Sequence, residues 1–170
     1  MQGQHNRALS LEVVNDSTIC GYKNTNSWAW RHDVYFRAVF SKPFTCEILT
    51  DSILRSKGQR SLPVKKALLH FATAKDEQVL VKVALSSVDA EGAAKNLAEI
   101  PGWNFEQVKA DARRDWNNYL GKIDIETDNA EQKTVFYTAL YHTGISPSLF
   151  TDVDGRYRGL DREIHTAEAD

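Results

Sequence analysis

The sequence has few of the residues that build metal clusters or disulfide frameworks. Only two cysteines, Cys20 and Cys46, occur in 170 residues, which excludes a cysteine-only zinc site. Two cysteines are also too few to indicate the redox compartment of the protein. We expect both to be buried free thiols. No apolar run is long enough to cross a membrane, and the opening residues Met1–Val14 lack the basic-then-apolar layout of a signal peptide.

The chain also has no large excess of charge of one sign, and this limits the classes of partner that it could bind. The formal net charge is -2 and 26% of residues are charged, so there is no broad basic field for nucleic acid. With 42% hydrophobic residues, the composition is typical of a globular protein with a core of its own. We expect neither a nucleic-acid nor a membrane partner.

Motifs for several reaction classes are missing. The chain has no GxGxxG and no GxxxxGK[ST], so it offers no cradle for dinucleotides or nucleoside triphosphates. Ser146 and Ser148 lack the glycine-flanked elbow of a hydrolase nucleophile. The histidines show no HxH or HxxxH spacing, which argues against a zinc site. They are His5, His32, His70, His142 and His165.

What is present predicts strands first and helices afterwards. Alternating apolar residues and turn clusters indicate antiparallel strands, most simply part of a β-sandwich. The predicted strands are 9–14, 18–22, 33–40, 45–49, 64–73 and 78–86, with 56–63 a loop. The first two are predicted to form a hairpin across Asn15-Asp16-Ser17.

Three helices are predicted after Val88. Asp89 is expected to cap a helix over 90–99, and Asn104 a helix to about Lys122, with Gln107 completing a capping box. Asp128 is expected to cap a third helix, which ends near His142. Apolar residues at helical spacing predict an apolar stripe on the second helix and a buried stripe on the third. On the third these are Val135, Phe136, Ala139 and Leu140.

Asp152-Val153-Asp154-Gly155 invites a metal or an acid-base role. Its start is similar to an EF-hand loop, but Arg156, Arg158 and Gly159 stand where oxygen ligands belong, so we expect a tight turn. Asp152, Asp154 and Asp161 would make a glycosidase pair only at a suitable separation, which sequence does not give. Tyr141, His142 and Arg158 are candidate cleft-lining residues, and a positive charge on His142 would suit a helix end.

An aromatic cluster near the third strand has two readings. Trp28, Trp30, Tyr35 and Phe36 are expected to pack in the core or at a domain interface. The alternative is a sugar-stacking platform, which would make the chain a non-catalytic carbohydrate-binding β-sandwich module using Trp28, Trp30 and Tyr35.

Several segments together resemble the bacterial α-mannosidases of glycoside hydrolase family 92. Phe136–His142 (FYTALYH) and the following P-x-x-F-x-D-V-D-G-R-Y-R-G-x-D, Pro147–Asp161, are similar to the segment that begins that family's catalytic domain. The resemblance continues upstream and covers nearly the whole chain. It includes Trp28–Phe44 (WAWRHDVYFRAVFSKPF), Lys82–Leu97 (KVALSSVDAEGAAKNL) and Trp116–Ile123 (WNNYLGKI).

The resemblance implies an N-terminal β-sandwich domain over 1–88, a helical linker over 89–124 and the start of a catalytic α/α toroid over 125–170. It implies an inverting, Ca²⁺-dependent exo-α-mannosidase that acts on α-mannoside glycans, often α-1,2-linked, in the periplasm or outside the cell. A Glu would act as general acid and an Asp as general base.

The family's catalytic acid, base and calcium ligands are expected to lie beyond Asp170. We therefore assign no catalytic or metal role to any residue, leave the substrate-binding residues unknown, and expect no Ca²⁺ on this chain. The chain is expected to be an internal fragment that is inactive by itself. A third reading is that it folds only within its parent, in which case the helix over 104–122 would expose its apolar stripe and promote association.

Overall fold

The computed structural model describes residues 5–26, 31–51 and 64–167. Strands come first and helices afterwards, as the sequence predicts, and a short hairpin follows. The strands are β1 His5–Asn15, β2 Thr18–Asn26, β3 His32–Phe40, β4 Phe44–Asp51, β5 Val64–Phe71, β6 Val81–Ser86, β7 Arg156–Arg158 and β8 Ile164–Thr166. The helices are α1 Ala90–Leu97, α2 Phe105–Leu120 and α3 Ala130–Ile145.

The chain divides into two compact units, which are described separately. The first unit combines Met1–Pro101 with Thr151–Asp170, and the second is Gly102–Phe150. The first therefore holds all the described strands together with α1, and the second holds α2 and α3. None of the described helices has the length and apolar character needed to cross a membrane.

The strands of the first unit form two larger antiparallel sheets. One has the order β1-β2-β3-β6, and the other pairs β4 with β5. The predicted hairpin of the first two strands is confirmed, and Asn15 shapes its turn by accepting a 3.0 Å hydrogen bond from the Ser17 amide. The neighbouring predicted strands 64–73 and 78–86 lie in different sheets, as β5 and β6.

An apolar cluster joins the two sheets. Ile19 and Ala38 of the four-stranded sheet are buried with Phe44 at the start of β4. The rings of Phe40, Phe44 and Phe71 lie 5.4–5.9 Å apart in tilted and edge-on arrangements, which aromatic pairs favour. Half-buried Cys46 is at the margin of this cluster.

The same face of the four-stranded sheet is open at its other end. Val83 and Leu85 of the edge strand β6 keep 53% and 58% of their surface exposed. A groove of about 640 Å³ lies there, with Leu9, Leu11, Val34 and Phe36 in its lining. The alternation that predicts β6 therefore marks an apolar face that the described residues cover only in part.

The opposite face of this sheet contacts α1. Asp89 caps the helix as predicted, and its carboxylate accepts a 2.6 Å hydrogen bond from the Gly92 amide. Gly92, Ala93 and Leu97 are buried, and Val88 just before the helix is 1% exposed. Small residues at the contact allow the helix to approach the strands closely.

In the second unit, α2 and α3 pack through aromatic side chains. The Trp116 and Tyr141 rings are 4.5 Å apart. Asn104 caps α2 as predicted by accepting from the Gln107 amide at 3.0 Å. The Gln107 side chain bonds Asp111 instead of returning to Asn104, so the reciprocal half of the predicted capping box is not present.

Three predictions about these helices are wrong. The cap of α3 is Asn129, which accepts from the amides of Glu131 and Gln132, and not Asp128. The helix continues past His142 to Ile145, because a glycine at position 144 still adopts helical geometry. The apolar stripe of α3 is also not buried, and Val135 is 62% exposed, since within this unit α3 has only α2 to pack against.

Candidate functional site at the junction of sheet, helix and hairpin

One polar cluster of the first unit surrounds a buried carboxylate at the start of β3. Asp33 is 3% exposed. Its Oδ1 atom accepts from the Tyr22 hydroxyl at 2.5 Å and from Asn24 Nδ2 at 2.6 Å, while Oδ2 pairs with Arg31. Tyr22 and Asn24 alternate on β2 and so face the same side of the sheet as Asp33.

These contacts change how the two acidic groups ionise. Burial by itself would raise the pKa of the Asp33 carboxyl, but hydrogen bonds from Tyr22, Asn24 and Arg31 lower it overall. Burial and the bond to Asp33 raise the pKa of Tyr22 to about 12. Asp33 is thus a satisfied anion, and Tyr22 stays protonated as its donor.

A second buried carboxylate links the end of β6 to the C-terminal hairpin. Asp152, 6% exposed, accepts from the Ser86 hydroxyl at 2.6 Å and from Asn96 Nδ2 at 2.8 Å. Ser86 Oγ in turn accepts from the amides of Val88 and Asp89 at 2.9 and 3.3 Å. The short segment between β6 and α1 is therefore organised around this pair.

Arg156 forms a charged bridge next to that pair. Its guanidinium binds Asp89 at 2.6 Å and Asp154 at 2.9 Å, and Lys95 of α1 also reaches Asp154, at 3.0 Å. The hydrogen bond from Arg156 lowers the pKa of Asp89. The bond from Lys95, then that from Arg156, lowers the pKa of Asp154 to about 2.

Arg158 lies between the two carboxylate clusters. Its guanidinium donates to the carbonyls of Ser87 at 2.9 Å and Val88 at 3.2 Å, and its Nε is 3.7 Å from Asp33 Oδ2. The side chain is 15% exposed. The planar guanidinium group of Arg158 can donate to several carbonyl oxygens at once. Arg158 therefore binds the backbone and does not line a cleft.

The Asp-Val-Asp-Gly run forms the expected turn. The Gly155 amide donates to the Asp152 carbonyl at 2.8 Å, and Gly155 has a φ of 78°, which favours glycine. Asp161 pairs with His165 at 2.8 Å. Asp152, Asp154 and Asp161 each bond protein donors, so none is arranged as a free general acid or base. Residues 5–26, 31–51 and 64–167 contain no group of three or more potential metal-ligating side chains.

The structure divides the predicted aromatic cluster. The Tyr35 ring is 4.6 Å from Tyr22, so it packs within the sheet surface, and Phe36 packs against the core. Trp28 and Trp30 lie outside the described residues. The described pair therefore has the packing role, and the sugar platform stays a prediction.

The remaining candidates are dispersed. His142 is exposed in the last turn of α3, the position that suits a positive charge. Tyr141 lines a shallow groove of about 580 Å³ along α3 with Lys133, Thr134 and Tyr137. Ser146 and Ser148 are exposed. Cys20 and Cys46 are free as predicted, but each is only half-buried, and burial raises the pKa of Cys20.

Sequence reasoning missed the residues that organise this site. Asp33, Ser86 and Asn96 stand among ordinary strand and helix residues, and no motif marks them. Asp33 accepts from Tyr22 and Asn24, 11 and 9 positions away, and Ser86 and Asn96 bond Asp152, 66 and 56 positions away, so the fold brings these groups together. Asp33 gives the one sequence signal for this site, because it is a charged residue in a strand whose other residues alternate between two faces.

Two domain models of one family match the chain, one before and one after residues 87–91. The glycosyl hydrolase family 92 N-terminal domain matches residues 1–86, and the family 92 catalytic domain matches residues 92–170. The chain belongs to glycosyl hydrolase family 92. The family predicted from the motifs is thereby confirmed.

Solved family 92 structures share this fold. A family 92 α-mannosidase from Bacteroides thetaiotaomicron is 36% identical with a TM-score of 0.81, and the match covers 94% of this chain and 23% of that one. A family 92 inverting mannosidase from the VPI-5482 strain is 25% identical with a TM-score of 0.75, over 95% of this chain and 23% of that one.

A curated relative, an uncharacterized secreted glycosidase of Arthroderma benhamiae, is 35% identical over 79 residues, or 44% of this chain and 10% of that protein. The chain thus spans about a quarter of the length of the solved relatives and a tenth of this one.

Proposed function

We propose that this chain is part of an exo-α-mannosidase that hydrolyses α-mannoside glycans with inversion of configuration. One observation carries the proposal: 36% identity to a family 92 α-mannosidase across 94% of the chain. A second relative is described as an inverting mannosidase, which supports the proposed inversion of configuration. We propose α-1,2-linked mannosides as substrates, and a periplasmic or secreted location, which the secreted relative supports.

The part played by this chain is proposed to be structural support for the reaction. In an inverting glycosidase, one carboxylic acid protonates the leaving oxygen and one carboxylate activates water from the opposite face. The buried carboxylates Asp33 and Asp152 are occupied by hydrogen bonds instead. We therefore propose that the acid and the base come from parts of the relatives' length that this chain does not span.

Calcium dependence belongs to the same proposal. The described ranges hold no cluster of three or more His, Cys, Asp or Glu side chains that fits a metal ion. We propose that a longer protein supplies the Ca²⁺ ligands. The 170-residue chain is then expected to be inactive by itself.

The test compares the isolated chain with a longer protein that includes it. Both are incubated with α-1,2-linked mannobiose and with its α-1,3-, α-1,4- and α-1,6-linked counterparts, with Ca²⁺ or with a chelator, and the anomers of released mannose are followed by NMR. We expect β-mannose first, from the longer protein with Ca²⁺ only. Release of α-mannose first would refute inversion, and no release from α-mannosides of any linkage would refute the mannosidase proposal. Ca²⁺-dependent release by the isolated chain would refute its inactivity.

A further inference from the structure

The two family domains meet in a short segment that another part of the chain holds in place. The N-terminal domain match ends at residue 86 and the catalytic domain match begins at residue 92. We call Ser86–Gly92 the junction. The hairpin over residues 151–167, which contains β7 and β8, lies in the catalytic-domain match but belongs to the first compact unit.

Residues of the hairpin form hydrogen bonds with polar groups along the junction. Arg158 binds the carbonyls of Ser87 and Val88, and Asp152 binds the Ser86 hydroxyl. Arg156 binds the carboxylate of Asp89. These bonds connect residues 66 to 71 positions apart, so the local sequence of the junction does not make them.

The hairpin also binds the helix that leaves the junction. The Val153 amide donates to Asn96 Oδ1 at 2.9 Å, and Asn96 Nδ2 donates both to Asp152 and to the Leu85 carbonyl at 2.8 Å. Asn96 therefore ties the hairpin, α1 and β6 to one another. Helix α1 is held at its start through Asp89 and near its end through Asn96.

We propose that the hairpin is a strap that holds the junction between the two family domains in its ordered conformation. The competing account is that apolar packing of Val88, Ala93 and Leu97 alone holds it. The two accounts differ in what happens to the junction amides when the strap is weakened. The inference does not depend on mannosidase activity, because its test uses the chain's own amides.

Amide hydrogen exchange measured by NMR on the whole chain separates these accounts. The amides of Val88 and Asp89 donate to Ser86 Oγ, and the Gly92 amide donates to Asp89 Oδ1. In Arg158→Met we expect exchange at these three amides to accelerate by about tenfold or more, the scale of losing hydrogen bonds to a charged group. Amides of the β2–β3 ladder should change by less than about twofold, since they report global opening.

Arg113→Met is the matched control, because Arg113 is exposed on α2 and makes no ion pair with the residues the structure describes. It should leave all three junction amides unchanged. If Arg158→Met does not fold, Asp152→Asn weakens the strap more gently by removing one of two acceptor oxygens, and the same selective acceleration is expected. Unchanged junction amides, or acceleration in step with the β2–β3 ladder, would overturn the proposal.

Discussion

The Ser86 hydroxyl donates a 2.6 Å hydrogen bond to the Asp152 carboxylate across 66 positions of sequence, and Gly92 faces both side chains. A Cβ atom added at Gly92 would lie 2.6 Å from Ser86 Oγ and would overlap Asp152 Oδ2. The absence of a side chain at position 92 is therefore what lets α1 approach this pair. Close approach, and not an unusual φ, is the reason for glycine here.

Gly92→Ala should accordingly destabilise the protein despite alanine's higher helix propensity. We expect the free energy of unfolding to fall by about 1–3 kcal/mol, the usual cost of overpacking, measured by chemical denaturation. In an Asp152→Ala background the same substitution should cost clearly less, because the overlapping carboxylate is gone. An equal cost in both backgrounds would contradict the steric explanation.

Asp89 combines a helix cap with an ion pair, and two substitutions separate these roles. Asp89→Ala removes both and should lower the free energy of unfolding by about 1–2 kcal/mol. Asp89→Asn keeps an acceptor for the Gly92 amide and loses only the charge opposite Arg156, so it should cost less than about 1 kcal/mol. Chemical denaturation of both variants checks the order, and equal losses would mean that the cap contributes little.

The Tyr22 hydroxyl stabilises the buried anion of Asp33. Tyr22→Phe should lower the free energy of unfolding at neutral pH by about 1.5–3 kcal/mol, because a hydrogen bond to a charged group is lost. Tyr35→Phe is the matched control, since its ring packs on Tyr22 while its hydroxyl makes no hydrogen bond to the described residues. Similar losses in the two variants would show that ring packing, and not the bond to Asp33, is responsible.

Acid should weaken the protein partly through Asp33. The pKa of Asp33 is lower in the folded than in the unfolded protein. The ionised carboxylate therefore contributes its full stability above the unfolded-state pKa, about 3.9, and this stability is lost as pH falls through the folded-state pKa. We expect the free energy of unfolding to decline below about pH 4. In Tyr22→Phe the decline should be shallower, and urea denaturation at a series of pH values tests this.

Alkali gives the complementary prediction for Tyr22. Its pKa is raised to about 12 in the folded protein, so the stability it contributes is present below about pH 10 and is lost as pH rises toward the folded value. Tyrosine absorbance should show a late-ionising group near pH 12 that disappears in Tyr22→Phe. A complete tyrosine titration near pH 10 with the protein still folded would contradict it.

Local patterns predicted the elements well and their partners poorly. The caps Asp89 and Asn104 are confirmed because a cap is decided within one helical turn. Asn129 was missed because its neighbour Asp128 has similar capping chemistry one position earlier. Periodicity indicates an apolar face on α3 but not whether anything covers it, and Val135 is exposed.

The candidate site could not be predicted from local sequence patterns, because its residues are distant from one another in the sequence. Asp152 looked like a metal or catalytic group because of its neighbours Asp154 and Gly155. Its function in the fold depends on Ser86 and Asn96, which are 66 and 56 positions away. Similarly, Arg158 became a clamp on backbone only once β6 and α1 were placed beside the hairpin. Contacts of this range are properties of the topology, which residue spacing does not encode.

The open face of β6 makes self-association of the isolated chain the last prediction. Val81, Val83 and Leu85 form an exposed apolar row on an edge strand, and an exposed apolar face of this kind promotes association with other chains. We expect concentration-dependent association in sedimentation velocity. Val83→Glu should weaken it about tenfold or more, since burying one unpaired charge costs at least 1.4 kcal/mol. Gln78→Glu makes the same charge change at an exposed residue before the strand and should leave association unchanged. A wild-type chain that stays monomeric at all concentrations would show that this face does not drive association.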